Sequence, residues 1–268
     1  MELRQSALQV YEICNATEKA HAMQALTTLL ASYHIDSDAL FNAPAIPGRP
    51  ALPALVAPAK VPRRSPFTAQ GHAALIHSIA HIEFNAINLA LDAVWRFPGM
   101  PQEFYLDWMR VADEEAKHFL MLQNHLKHLG FSYGDFAAHD GLWTLCHQTR
   151  HSVIERMALI PRTLEARGLD ATPQIQQKLR QVASPQALEA VAILNVILED
   201  EIGHVALGNH WYHWLCKLHG LEPDQFSDQT ASKYRAPTPK PPFNHHARSL
   251  AGFSESEIQS LSSYSPLQ

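Results

Sequence analysis

Glutamate and histidine occur one helical turn apart at two places in this sequence, as Glu115-x-x-His118 and Glu201-x-x-His204. Residues at positions i and i+3 are neighbours on an α-helix, so each pair can present a carboxylate oxygen and an imidazole nitrogen to one point. Oxygen and nitrogen donors together suit transition-metal ions such as iron or manganese. The spacing therefore indicates metal binding wherever both stretches are helical.

One Glu-x-x-His carries little information, because about one is expected by chance in a chain of this composition. A third copy, Glu18 and His21, lies in the N-terminal stretch, and we interpret it as the chance occurrence because it has no partner stretch of matching pattern. The other two lie at similar depth in long apolar stretches. Each also follows two further acids, which can orient the ligating imidazoles through their free N–H groups: Asp113, Glu114, Glu199 and Asp200.

Both pairs interrupt an apolar stripe. Positions three and four residues apart on either side of the first pair are mostly apolar, as at Val111 and Leu122. An ionised carboxylate in such a core costs several kcal/mol unless a proton, a counter-charge or a metal compensates it. A metal is the compensation that uses a carboxylate and an imidazole one turn apart.

Two metal ions in a four-helix bundle need one carboxylate from each of the two remaining helices. Glu83 is the one glutamate of the first long stretch, and an antiparallel pairing brings it level with the second. The third stretch offers Glu155 and Glu165; depth favours Glu155, and Pro161 is expected to kink this helix. The predicted metal ligands are Glu83, Glu115, His118, Glu155, Glu201 and His204.

Four more histidines lie within two turns of these positions: His77, His81, His125 and His151. We interpret them as core groups or as groups that support the ligands, rather than as ligands. No serine-nucleophile, phosphate-loop or dinucleotide-binding motif is present, so any catalysis is expected to take place at the metals.

The predicted ligands all fall in four long helical stretches. Each stretch is followed by Gly, or by Pro and Gly, as at Gly130, Gly168 and Gly220. Helices of this length pack side by side, which predicts an all-α four-helix bundle as the core, residues 68–220. The predicted helices are 68 to 96, 101 to 129, 141 to 168 and 185 to 219.

The segments on either side of this core differ in composition. The composition of residues 1–43 predicts an arm of one or two helices outside the main core. The many prolines of residues 44–67 predict an extended strap. Residues 221–268 predict a largely irregular tail, with a short helix that begins near Ser254 and is capped with the help of Glu257. We expect one domain, 1–268.

Net charge and cysteine usage restrict the partners and the compartment. The formal net charge of -5 disfavours a nucleic-acid partner, which stays open only for a local basic cluster. Three scattered cysteines predict neither a thiolate zinc site nor a disulfide framework and suit a reducing cytoplasm. No apolar run reads as a membrane span. We expect a cytoplasmic monomer or small homo-oligomer.

The order Glu83, Glu115-x-x-His118, Glu155, Glu201-x-x-His204 resembles that of the ferritin-like di-iron carboxylate proteins. The chain resembles more narrowly the DUF455 family, from about residue 48 to residue 253. The stretches that carry this likeness are 81–100 (HIEFNAINLALDAVWRFPGM), 114–119 (EEAKHF), 156–162 (RMALIPR), 164–170 (LEARGLD) and 242–244 (PFN). A more distant similarity is to the di-iron monooxygenase that hydroxylates a modified adenosine of tRNA.

The resemblance implies a ferritin-like bundle with two iron ions, with manganese possible at one or both positions. Such a centre acts on dioxygen, so we expect an oxidase or monooxygenase of a small organic substrate that receives electrons from an external donor. The alternative is a non-catalytic iron protein for storage or sensing, for which the oligomer size is diagnostic. A third hypothesis is a metal-free helical scaffold, which predicts that the purified protein contains no bound metal.

Overall fold

The computed structural model describes residues 1–42 and 45–263. Residue 43 of the predicted arm, Pro44 at the start of the predicted strap and residues 264–268 of the predicted tail lie outside the described residues. No strand occurs in the described part of the chain, where two isolated β-bridges join Glu2 to His34 and Leu55 to Ala138. The all-α fold class is confirmed. The α-helices are α1 Leu3–Glu12, α2 Ala16–Thr28, α3 Ala69–Arg96, α4 Gln102–His128, α5 Gly141–Gln148, α6 Val153–Leu159, α7 Ala166–Val182, α8 Pro185–His219, α9 Pro223–Lys233, α10 His245–Leu250 and α11 Glu255–Ser263.

Three of the four predicted long helices are confirmed within one residue at each end: α3, α4 and α8. The start of α3 is capped by Thr68, whose hydroxyl accepts a hydrogen bond from the backbone N–H of Gly71. Gly130 and Gly220 follow α4 and α8 with φ angles of +81° and +63°. This left-handed conformation ends a helix and favours glycine, as the sequence predicts.

The prediction of the third long helix, 141 to 168, is wrong. In place of one helix from 141 to 168 the chain forms α5, then α6, a π-helical segment Ile160–Glu165, and α7, which continues to Val182. A proline ring clashes with the carbonyl of an ordinary helical turn, and Pro161 lies in the π-helical segment, where the turn is wider. Gly168 does not end the helix, because it does not adopt the positive φ of Gly130 and Gly220.

The chain divides into two compact units. The first comprises residues 1–147 and 182–193, and the second residues 148–181 and 194–268, so α8 has residues in both. The single domain and the four-helix arrangement that the sequence predicts stay predictions.

The helices of the N-terminal arm belong to the core of the first unit. Helix α1 packs against α3, and α2 packs against α4. Leu3, Ala7, Tyr11 and Met23 are fully buried. The expectation that this arm lies outside the main core was wrong, because both of its helices carry apolar faces that α3 and α4 cover.

The strap is held to the arm at Gly48. Its N–H donates to the carbonyl of Tyr11, and its carbonyl accepts from the ammonium of Lys19, 2.8 Å away. A Cβ atom at Gly48 would lie 2.1 Å from the carbonyl oxygen of Glu12, so only glycine fits this approach. Apart from one 3₁₀ turn, Pro58–Lys60, the described strap has no helix, as predicted.

Polar contacts connect the tail to α7 within the second unit. The guanidinium of Arg248 donates to both carboxylate oxygens of Asp170, at 3.1 and 2.6 Å, and the backbone N–H of Asn244 donates to the same group. Ser254 and Glu257 cap α11 reciprocally, as predicted. The expectation of a largely irregular tail was wrong, because α9, α10 and α11 form there.

Helix α8 approaches the π-helical segment closely at Gly208. A Cβ atom at this position would lie 2.3 Å from Cβ of Pro161, a separation that side chains do not tolerate. Glycine at 208 therefore allows the widened turn around Pro161 to pack directly against the backbone of α8.

Helix α3 is the one helix of the described chain that is long and apolar enough to cross a membrane. Within the structure 78% of its most apolar window is buried, and it carries the buried carboxyl group of Glu83. These properties are typical of the core helix of a soluble protein. The cytoplasmic location stays a prediction.

Candidate metal site

Three of the predicted ligands converge in the first unit, between α3 and α4. The Nδ1 atom of His118 lies 3.2 Å from Oε2 of Glu83 and 3.4 Å from Oε2 of Glu115. One donor atom from each of the three side chains lies within 4.8 Å of the others. Ligand atoms that share one ion through bonds of about 2.1 Å lie about 3.0 to 3.4 Å apart. The spacing of this cluster therefore fits a single metal ion.

All three side chains are withdrawn from water. Glu83 is 3% exposed, and Glu115 and His118 are fully buried. Burial and the charge of Glu115 raise the pKa of Glu83 well above its usual range. Burial lowers the pKa of His118, but hydrogen bonds to Glu115 and Glu83 and their negative charges outweigh that effect and raise it to about 11. Without a metal, protons must therefore neutralise the cluster.

The stability that His118 contributes to the metal-free protein is expected to fall as the pH rises from 6.5 to 11. The folded protein holds a proton on His118 up to about pH 11, whereas an unfolded histidine releases it near 6.5. The stabilisation by His118 is complete below pH 6.5 and is lost as the pH rises through the pKa of about 11 in the folded protein. Urea unfolding with chelator present gives the free energy of unfolding of the wild type and of His118→Gln at each pH. The difference between the two free energies measures the contribution of His118.

Comparison with His118→Gln cancels the titrating groups that lie away from the cluster, such as Lys19, which the two proteins share. A stability difference that stays constant or grows with pH would contradict the protonated cluster. Saturation with metal is expected to remove the pH dependence, since metal binding displaces these protons.

The second Glu-x-x-His pair lies on α8, in the second unit. Oε1 of Glu201 is 3.8 Å from Nδ1 of His204, and the two side chains are 12% and 1% exposed. His204 is thus buried, Glu201 is partly buried, and the two lie one turn apart, as the sequence predicts. Its role as a second set of metal ligands stays a prediction.

Glu155 lies on α6 and has protein partners for both of its oxygens. Lys233 donates to Oε1 at 2.5 Å and Tyr234 donates to Oε2 at 2.5 Å. Although burial acts in the opposite direction, these bonds lower the pKa of Glu155. The alternative, Glu165, ends the π-helical segment and has a buried carboxylate oxygen, Oε2. The assignment of Glu155 as a ligand stays a prediction, with Glu165 as its alternative.

Histidines 77 and 81 have hydrogen-bond partners outside the cluster. Nε2 of His77 accepts from the N–H of Gly134, and Nδ1 of His81 lies 2.8 Å from the hydroxyl of Tyr133. Burial lowers the pKa of each imidazole to about 4, so both are neutral. Both are core groups, in agreement with the sequence interpretation. His151 is exposed, contrary to that interpretation, because it lies in the turn before α6.

Sequence reasoning missed Tyr133, which follows α4 in a short loop. Its ring packs against His77, Phe84 and Phe119, with centroids 5.2, 5.8 and 5.1 Å away. Phe84 and Phe119 directly follow Glu83 and His118 in the sequence. The one signal in the sequence was an aromatic residue soon after the glycine that ends a helix.

A cavity of about 20 Å³ lies between the strap and α3. Its volume is enough for one water molecule. The residues that line it are Arg49, Pro50, Pro53, Leu55, His81, Phe84, Asn85 and Tyr133.

The acids that precede the ligands differ in their surroundings. The side chain of Asp113 hydrogen-bonds with Thr27 of α2; burial outweighs that bond and raises the pKa of the carboxyl. Glu114 and Asp200 are half-buried, and Glu199 is exposed. The contact of Asp113 is thus to a hydroxyl group, whereas the sequence predicted an imidazole.

Comparison with known proteins gives the family. The family model described as "Protein of unknown function (DUF455)" matches residues 12–259. A relative from Haemophilus influenzae (strain ATCC 51907 / DSM 11121 / KW20 / Rd), described as "Uncharacterized protein", is 51% identical over 229 residues, which are 80% of this chain and 78% of the relative. No solved structure matches the chain. On the strength of the family match and this relative, the chain belongs to the DUF455 family.

Proposed function

We propose that this chain is a metal-dependent oxidoreductase, ferritin-like in kind, whose Glu83, Glu115 and His118 hold an iron ion. The single observation that carries the proposal is the convergence of two carboxylates and one imidazole, almost completely buried, with donor atoms within 4.8 Å. A second ion at Glu201 and His204, and manganese in place of iron, are parts of the same proposal.

Charge balance supports a divalent ion in this cluster. Two carboxylates and a neutral imidazole carry two negative charges, which one divalent cation neutralises without any added proton. Carboxylates and imidazole are ligands that iron and manganese accept. A buried pair of carboxylates that lacked such a cation would have to hold protons well above the usual pH range of the group, as the raised pKa of Glu83 indicates.

Iron in such a site supplies the capacity to bind and reduce dioxygen when a donor provides electrons. The protein holds the ion and keeps bulk water away from it. Glu83 and Glu115 supply the negative charge, and His118 supplies a nitrogen after it loses its proton. Phe84 and Phe119, which directly follow Glu83 and His118 in the sequence, pack against each other with ring centroids 5.7 Å apart. A small organic substrate and an external electron carrier complete the proposed reaction.

The test uses the full chain, stripped of metal and reloaded with Fe²⁺ without oxygen. With a chemical reductant and a redox mediator, repeated oxygen consumption is expected from the wild type and a loss of at least about tenfold from Glu83→Gln. A single round of oxygen consumption despite excess reductant, together with a large shell-like oligomer, would support iron storage instead. Absence of bound iron in the wild type would overturn the proposal.

A second comparison identifies the carboxylate of the third helical segment. Glu165→Gln is expected to lower the iron content, whereas Glu155→Gln is expected to retain it, because Lys233 and Tyr234 already engage both oxygens of Glu155. The reverse result would restore Glu155 as the ligand.

A further inference from the structure

A second cluster of metal-binding side chains lies in the first unit, two helical turns along α4 from His118. His125 and His128 come from the end of α4, and Glu189 comes from the beginning of α8. One donor atom from each lies within 4.8 Å of the other two. Nδ1 of His125 is 3.3 Å from Oε2 of Glu189, and Nδ1 of His128 is 3.2 Å from Oε1 of the same carboxylate.

His125 is the feature that packing does not explain. Its side chain is fully buried, yet neither of its ring nitrogens makes a hydrogen bond, and the contact with Glu189 is too poorly directed to count as one. Buried polar groups almost always have a partner, because an unpartnered one costs about 1 to 3 kcal/mol. The imidazole of His72 lies beside it, with ring centroids 5.9 Å apart, and Nε2 of His72 is also buried without a hydrogen bond.

The local charges favour a cation at this place. His125 and His128 belong to the last turn of α4, where the unpaired carbonyl groups give the helix end a partial negative charge. Glu189 adds a full negative charge between the two imidazoles. Burial lowers the pKa of His125 despite the carboxylate beside it.

We propose that His125, His128 and Glu189 bind a Zn²⁺-type ion that fastens the end of α4 to the beginning of α8. Two imidazoles and one carboxylate are a ligand set that zinc accepts, with water at the fourth position. Glu189 and His128 are 45% and 63% exposed, which gives the ion a path from solvent. The ion joins two helices at the surface of the first unit, and its three protein ligands leave the fourth position open to water.

The double variant His128→Gln with Glu189→Gln tests this site. Both side chains are partly exposed, so folding should survive the change. Zn²⁺ is titrated into the metal-stripped full chain against a chromophoric chelator. Relative to the wild type, the variant is expected to lose one bound Zn²⁺ per chain, with the affinity of that site reduced at least about 100-fold. The thermal midpoint of the wild type should rise with added Zn²⁺, and that of the variant should rise less.

The matched control is Glu18→Gln with His21→Gln, which removes the same residue types from an exposed face of α2. This control should bind Zn²⁺ like the wild type. Co²⁺ gives a second readout, since a site of two imidazoles, a carboxylate and water absorbs visible light more strongly than a six-coordinate carboxylate site. Equal Zn²⁺ stoichiometry and affinity in wild type and double variant would overturn the proposal. An equal loss in the control would also overturn it, because binding would then need only surface imidazoles.

Discussion

Glu115→Gln should lose one metal ion per chain and still fold. Glutamine keeps the shape of the side chain but removes the charge that a divalent ion needs in a fully buried position. We expect the affinity for iron to fall at least about 100-fold, since losing a direct ligand costs more than losing a group that only orients one. The metal-free variant should unfold within about 2 kcal/mol of the wild type or be more stable, because one of two mutually repelling carboxylates is gone.

The measurement is iron per chain by elemental analysis after reconstitution, together with urea unfolding in the presence of chelator. Glu103→Gln is the matched control, since it changes an exposed acid in the first turn of the same helix, and it should keep the wild-type iron content. If Glu115→Gln retained its iron, or if Glu103→Gln lost as much, the cluster of Glu83, Glu115 and His118 would not be the binding site.

Arg4→Met should destabilise the protein by about 3 to 5 kcal/mol, because it leaves several buried backbone carbonyl groups unpaired at about 1 to 3 kcal/mol each. The guanidinium of Arg4 is fully buried and donates to five backbone carbonyl groups. Two of these, at Val94 and Trp95, belong to the last turn of α3, and the others follow α2. Methionine fills the space but leaves these acceptors without a donor.

Urea unfolding of the full chain measures this effect as a shift in the midpoint. Arg110→Met is the control, because Arg110 is 59% exposed and approaches Asp107 only at 3.7 Å, a surface pair worth about 0 to 1 kcal/mol. Arg4→Lys should fall between the two, since an ammonium cannot reproduce the planar fork of donors. Equal midpoints for Arg4→Met and Arg110→Met would contradict the role of Arg4 at the end of α3.

The sequence predicted the ends of α3, α4 and α8 because local chemistry determines them. The hydroxyl of Thr68 and the left-handed glycines after α4 and α8 act within a few residues. The convergence of Glu83 with Glu115 and His118 was predictable for a related reason. A carboxylate on an apolar stripe at a matching depth has few other places to lie when two long helices pair.

Contacts between distant parts of the chain could not be predicted from the sequence. The sequence indicated that the carboxylate of Glu155 points into the core. Its partners Lys233 and Tyr234 lie in α9 and directly after it, and no residue near Glu155 in the sequence predicts these contacts. The sequence did not indicate the buried position of Arg4, because all the acceptors of its guanidinium are backbone carbonyls, which every residue has. Pro161 was expected to kink a helix; it lies in a π-helical turn, which packs closely against Gly208 of the distant helix α8.

The tight fit of the strap over α3 limits the size of what the first unit can admit there. With Gly48 fixed to α1 and α2, the space beneath Pro50 and Pro53 holds a single water-sized guest. A molecule of several carbons could enter this space only after the strap had moved aside. Under the proposed function, this short proline-rich stretch of chain therefore limits the size of the reactants that reach this side of the first unit.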